Sequence, residues 1–413
     1  MSNTPKLRFK EFSGDWEKTT LKHVTDSFEY GMNSASAEFD GENKYIRITD
    51  IDETTSKYIN TNVVSPLGEL EDKYLVKEND ILFARTGAST GKTYLYDKKD
   101  GKLYFAGFLI RANVNNDNNA KFIFLQTKTK VYDKWVKVMS MRSGQPGINS
   151  QEYASYSFNT PSKEEQEKIA SFFSLIDDKI SLQGEKVEAL KDYKKGIMQK
   201  IFSKELRFKD DNGKDYPEWE EKKLGDFTKL MQSGLSRKLS NKDIGIPVIR
   251  SNNLIDGKID VSDIKYWHSI DDQGVKLENY FLRENDLLVN FINSLAQIGK
   301  CSIYTDELKR NTIFTTNIMR LNFEHDIDVN YIFNYFQLKK YNDYIRSITK
   351  PAVNQASFTT ADFKRFKVDL PNIEEQIKIG KLLKMLDSKI EKEQEKLDSL
   401  NEYKKGLLQQ MFV

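Results

Sequence analysis

The chain has 413 residues, 38% of them hydrophobic and 12% aromatic, which is enough for two or three folded domains. A formal net charge of +2 lacks the basic excess of an obvious nucleic-acid binder. The single cysteine, Cys301, excludes an internal disulfide and a cysteine-based zinc site. His23, His268 and His325 lie far apart without ligand spacing, so no metal site is expected. No run of 18 apolar residues occurs, and Met1 to Lys10 lacks a signal peptide's apolar region. The chain is therefore expected to be cytoplasmic, with no membrane partner.

In chain order, a first globular segment over residues 1–160 is followed by a long helix over 161–203. A second globular segment covers 204–370, and a second long helix covers 371–413. The two globular segments share landmarks. Leu7-Arg8-Phe9-Lys10 and Trp16 answer Leu206-Arg207-Phe208-Lys209 and Trp219, and Tyr45-Ile46-Arg47 answers Val248-Ile249-Arg250. Tyr74 to Phe83 answers Tyr280 to Val289, each with Glu-Asn-Asp at its centre, and Pro146 and Asn149 answer Pro351 and Asn354. Short β-branched or aromatic runs bounded by turn residues, such as Asp80–Phe83 and Lys300–Tyr304, predict strands. Helical patterns follow at Phe122–Met139 and Val329–Ile348. Each segment is predicted to be α+β with a mostly antiparallel sheet, and the chain to be an internal pseudo-two-fold repeat.

The helical segments repeat most clearly. Pro161–Phe202 and Pro371–Phe412 align without gaps, with 18 of 42 positions identical. The identities include Glu164-Glu165-Gln166 with Glu374-Glu375-Gln376, and Tyr193-Lys194-Lys195-Gly196 with Tyr403-Lys404-Lys405-Gly406. Heptad steps give a seam of Ile169, Phe173, Ile176, Ile180, Val187, Leu190 and Ile197 in the first copy. In the second they give Ile379, Leu383, Leu386, Ile390, Leu397, Leu400 and Leu407. Polar residues interrupt both seams in matching slots, Gln183 and Lys194 against Glu393 and Lys404. The spacing predicts an antiparallel coiled-coil pair, each rod about 55 Å long at 1.5 Å per residue. The first-turn glutamates suit a helix N-terminus.

Catalytic motifs are absent. Gly87-Ala-Ser-Thr-Gly91-Lys92-Thr93 approaches a phosphate-binding loop, but that loop needs four residues between its glycines and must open a helix. Asn159-Thr160-Pro161-Ser162 lacks the second proline and the aromatic of an adenine-methyltransferase motif. The chain is read as a non-catalytic protein. Two other readings remain open: a coiled-coil adaptor that binds only proteins, and a nucleotide-hydrolysing enzyme built on the Gly87 loop.

With these residues in view, the chain resembles the specificity (S) subunit of type I restriction-modification systems over nearly its whole length. The Pro-x-x-Glu-Glu-Gln helix openings, the Tyr-Lys-Lys-Gly segments, Trp16 and Trp219, and the Gly-Lys turns at 91–92 and 299–300 carry the resemblance. It implies two target recognition domains separated by two antiparallel helices, each domain reading one half of a split site in double-stranded DNA. It implies docking of two modification (methyltransferase) subunits and of restriction (endonuclease/translocase) subunits. No cofactor is expected in this chain; S-adenosylmethionine, ATP and Mg belong to the partner subunits. The family's Gly-Gln-Pro turn stands at Gly144-Gln145-Pro146 but is Thr349-Lys350-Pro351 in the second copy.

Two readers on one rod reach major grooves on one face of a duplex when they stand about 34–36 Å apart, or a multiple of that. Guanine is read by Arg or Lys, and adenine by Asn or Gln. The candidates are Arg85, Lys92, Arg142, Gln145, Asn149 and Gln151 in the first domain. In the second they are Arg250, Asn252, Asn253, Asn293, Gln297, Lys300, Lys350 and Gln355. Lys92 is placed to face phosphate. The supports repeat while these loops diverge, as Arg85–Lys92 does from Phe291–Lys300, so the two domains are expected to read different sequences.

Overall fold

A computed structural model describes residues 3–141, 144–351 and 355–413. Packing divides the chain into two units, residues 1–185 with 394–413, and residues 186–393. This division cuts through both long helices, Lys163–Phe202 and Ile373–Met411, instead of separating them from the globular segments. The reason is burial. Ile169, Phe173, Leu407 and Met411 lie in the core of the first unit, and Ile201, Ile379 and Leu383 in that of the second.

Each unit holds the same four-stranded antiparallel sheet. In the first unit its order is Thr25–Tyr30, Leu109–Val114, Asp80–Ala84, Thr93–Leu95. In the second it is Thr228–Ser233, Ile318–Phe323, Leu287–Asn290, Cys301–Ile303. Even the register shift near the start of the first strand recurs, between Thr25 and Ser27 and between Thr228 and Leu230. One parallel pair supplements each sheet, Lys44–Ile46 with Leu103–Phe105 and Gly245–Ile249 with Ile313–Phe314. A two-stranded ribbon joins the segment before each sheet to the segment before each long helix, Glu17–Thr20 with Ser157–Thr160 and Glu220–Lys223 with Lys367–Leu370.

The repeated Glu-Asn-Asp turn has a backbone cause. Asn79 and Asn285 adopt φ of 69° and 70°, a left-handed conformation that asparagine tolerates better than most residues. The buried Asp80 and Asp286 that follow accept from Lys77 N and Arg283 N, which closes the turn. Burial pushes both carboxyls up, Asp80 to about 6. Arg111 and Arg320, buried on the adjacent strand, stand 3.7 and 3.8 Å away.

The helical patterns at 122–139 and 329–348 are each two helices. They are Ala120–Gln126 and Lys130–Met139, then Val329–Tyr335 and Lys339–Ile348. In the first unit Thr129 ends the run by capping the next helix through Tyr132 N. Continuous apolar spacing concealed the break.

Within each unit the long helices run antiparallel. In the first, Lys404 pairs with Asp177 at 2.6 Å, and Phe412 packs on Phe173 at 6.1 Å between rings. In the second, Lys194 pairs with Asp387 at 2.6 Å, and Lys186 with Glu393 at 2.9 Å. Asp177 and Asp387 occupy equivalent positions, as do Lys404 and Lys194. The lysines that interrupt the seams therefore make the same inter-helical ion pair in both units. Ile169, Phe173, Val187, Ile379, Leu383, Leu386 and Leu407 are buried, whereas Ile176, Ile180, Leu190, Ile197, Ile390, Leu397 and Leu400 are half-buried.

The Glu-Glu-Gln motif does more than suit the helix dipole. Its second glutamate is fully buried. Glu165 takes a bidentate pair from Arg8 at 2.8 and 2.7 Å, and Glu375 takes one from Arg207 at 3.3 and 3.0 Å and also Trp219 Nε1 at 3.1 Å. The glutamine side chain accepts from Asn119 N in the first unit and from Asp328 N in the second, tying the helix start to the cap of a domain helix. Leu206 N donates to Lys200 O, and Leu7 N to the equivalent Gln410 O, both at 2.9 Å. Residues 7–10 therefore sit on one helix end without a covalent link as residues 206–209 sit on the other with one. Removing one member of a buried ion pair costs about 3 kcal/mol. Glu375→Gln should lower the melting temperature by several degrees. An unchanged melting curve would contradict the buried lock.

Candidate nucleic-acid interface

In the first unit the chain leaves the third sheet strand, Asp80–Ala84, through Arg85 and the Gly87 turn. Thr86 bridges Gly147, Ile148 N donates to Arg85 O at 2.9 Å, and Gly87 N donates to Pro146 O at 2.9 Å. The Gly-Gln-Pro loop is thus laid against the end of the sheet, with the Gln145 amide over Gly87. Arg85 stacks on the Tyr30 ring at 4.8 Å, and Tyr30 Oη accepts from Ser150 N at 3.2 Å. Arg85, Gln145, Asn149 and Gln151 therefore converge, the last three exposed. Arg142 lies outside the described residues. Lys92 stands 3.7 Å from the exposed Glu53. It ends a turn between antiparallel strands, and the next residues, Thr93–Leu95, are strand, so no phosphate-binding loop is built here.

The second unit forms a broader surface. Ile292–Asn293, Ala356–Ser357 and Lys350–Pro351 make a three-stranded ribbon, which places Lys350 and Gln355 beside Asn293. Gln355-Ala356, and not Lys350-Pro351, takes the place of the first unit's Gln145-Pro146. Ile292 pairs with Ser357 as Thr86 bridges Gly147, and Phe358 N donates to Phe291 O as Ile148 N does to Arg85 O, so the sequence match of Pro146 to Pro351 does not hold. An open cleft of about 410 Å³ brings Asn252, Asn293, Gln297 and Lys300 together with Ser251 and Asp256. The surviving Gly-Lys has a steric cause. Gly91 and Gly299 adopt φ of 91° and 82°, and a Cβ there would lie 2.5 Å from Val136 and 2.8 Å from Ile345.

Three candidates prove to be occupied by the scaffold. Asn253 is 2% exposed; its oxygen accepts from Arg250 N, and its amide donates to Asp260 O and Asp263 O, so it cannot present an edge to a base. Arg250 N donates to Asn253 as Arg47 N donates to Asp50, and the Arg250 guanidinium is tied to Asp263 at 2.7 Å. The repeated Ile-Arg signal therefore marked a structural turn. Asn149 caps the Ser150–Ala154 helix through Glu152 N, so its oxygen is committed although the residue is exposed. Its structural counterpart is Thr359, which caps the Thr360–Phe363 helix through Asp362 N, so the sequence match of Asn149 to Asn354, a residue outside the described ones, does not hold. Cys301 is buried, its thiol pushed up to about 12 by desolvation.

The family described as Type I restriction modification DNA specificity domain matches residues 13–192 and 216–402. The chain belongs to this family. It carries two copies of the specificity domain, one beginning in each unit. The Type I restriction enzyme MjaVIII specificity subunit of Methanocaldococcus jannaschii is 24% identical over 426 aligned residues, 97% of this chain and 94% of that protein. The Type I restriction enzyme EcoKI specificity subunit of Escherichia coli is 24% identical over 299 residues, 69% of this chain and 59% of that protein. A sequence assigned by name to the MjaX specificity subunit of M. jannaschii is 31% identical over 214 residues, 51% of this chain, and this chain spans half of its length. Among solved structures, the type I restriction-modification S subunit from M. genitalium has the same fold, with TM-score 0.58, 16% identity and 99% of both chains covered.

The specificity-domain surfaces separate scaffold from reader. Asn253→Ala should lower the melting temperature, and the exposed neighbour Asn252→Ala should leave it unchanged. Equal melting losses for both would contradict the assignment of Asn253 to the scaffold.

Proposed function

We propose that this chain is the DNA-specificity subunit of a type I restriction-modification complex, with each domain reading one half of a split site. The observation that carries this reading is the presence of two specificity domains whose four-stranded sheets repeat in order and in register while their sheet-end loops differ. Arg85, Gln145 and Gln151 are the first unit's exposed or half-exposed polar groups at that end. Asn252, Asn293, Gln297, Lys300, Lys350 and Gln355 are the second unit's. Their chemistry suits guanine and adenine edges and phosphate.

In this reading the chain carries no catalytic centre. The long helices dock modification subunits, which hold S-adenosylmethionine and methylate adenine, and restriction subunits, which use ATP and Mg, join the assembly. A small net charge suits a reader whose partners supply much of the grip on the phosphate backbone. Among the described residues no helix is long and apolar enough to cross a membrane.

Exchanging residues 1–160 for another family member's first domain, followed by mapping of methylated adenines in host DNA, tests this reading. One half-site should change and the other stay fixed. Both halves changing together would contradict it.

A further inference from the structure

The sheet ends that carry Arg85 and Phe291 hold a second pair of equivalent positions. Arg85 N donates to Phe108 O at 3.0 Å, and Phe291 N donates to Asn317 O at 3.2 Å. Register fixes the equivalence, because Ala84 pairs with Leu109 and Asn290 with Ile318. One backbone thus presents arginine and phenylalanine in the first unit and phenylalanine and asparagine in the second.

Beyond these backbone bonds, neither the Phe108 nor the Asn317 side chain serves the scaffold. Phe108 is 60% exposed and joins no core, although burial is the favourable state for such a ring. It lies beside Arg85, whose guanidinium reaches Gly107 O while stacked on Tyr30. Asn317 is half-buried, and its side-chain amide makes no hydrogen bond among the described residues. A large apolar group in water and an unpaired amide at matching points of two sheet ends both suit a partner that arrives from outside.

We propose that Phe108 and Asn317 are specificity-determining residues, Phe108 touching the C5-methyl of a thymine and Asn317 pairing with the N6 and N7 edge of an adenine. The inference rests on the DNA-reading function proposed above. It makes the contrast between the two half-sites a consequence of side-chain exchange at one shared backbone position.

The assembled methyltransferase complex tests it, by competition binding to duplexes that carry its mapped site. Thymines of the first half-site are replaced one at a time by deoxyuridine. One replacement should weaken the wild-type complex about 5-fold or more. Phe108→Ala should bind the two duplexes alike, and Phe108→Leu should keep the preference. Asn317→Ala should lose about 10-fold discrimination at one adenine of the second half-site and leave the first unchanged. Equal losses in wild type and Phe108→Ala at every thymine, or unaltered base preferences in Asn317→Ala, overturn the assignment of that residue. Domain exchanges that still move half-sites independently would confine the failure to this inference; exchanges that do not would remove the DNA-reading function itself.

Discussion

The fold depends on one recurring arrangement, a seam between antiparallel helices in which an aspartate on one helix meets a lysine on the other. It occurs as Asp177–Lys404 in the first unit and as Lys194–Asp387 in the second. Burial would raise the Asp177 carboxyl, but the ammoniums of Lys121 and Lys404 outweigh it and hold it below the usual carboxylate range. Its contribution is therefore present above the ordinary carboxylate pKa and is lost as pH falls through the folded value. Antiparallel packing of two copies of one sequence makes each such contact appear twice. A polar pair within an apolar seam also fixes register, because a slip of one heptad would separate the two charges.

The seam is carried into the heads by the same residues that open each helix. Glu165 and Glu375 are buried against arginines from the segments that start each globular part, and Gln166 and Gln376 hold the caps of domain helices. Rotation of a helix start relative to its sheet would break a charge pair and a cap at once. The loops at the sheet ends carry no such constraint. They are free to vary in sequence over a fixed backbone, which is what a reader of arbitrary sequence requires.

Much of this was legible in the sequence because the chain states it twice. Repetition identified the helix pair, the Glu-Asn-Asp turn and the Gly-Lys turn without any knowledge of their contacts. Their causes were not legible. The Arg8–Glu165 pair joins residues 157 positions apart, and only the recurrence of Leu-Arg-Phe-Lys hinted at it. Residue type misled where scaffold and reader use the same chemistry. Asn253 and Arg250 have the polar groups of base readers and spend them on the 260–263 segment of their own scaffold. The break at 127–129 was hidden because a Thr cap between two helices hardly disturbs apolar spacing.

The seam is tested most directly by a charge-exchange cycle at Lys194 and Asp387, followed by thermal melting of the intact chain. Among the described residues this pair involves no third charge, unlike Asp177, which Lys121 also holds. Lys194→Asp alone should lower the melting temperature by placing two carboxylates together, and adding Asp387→Lys should restore most of the loss. A single variant that melts like the wild type, or a double variant that recovers nothing, would contradict the antiparallel register on which the account rests.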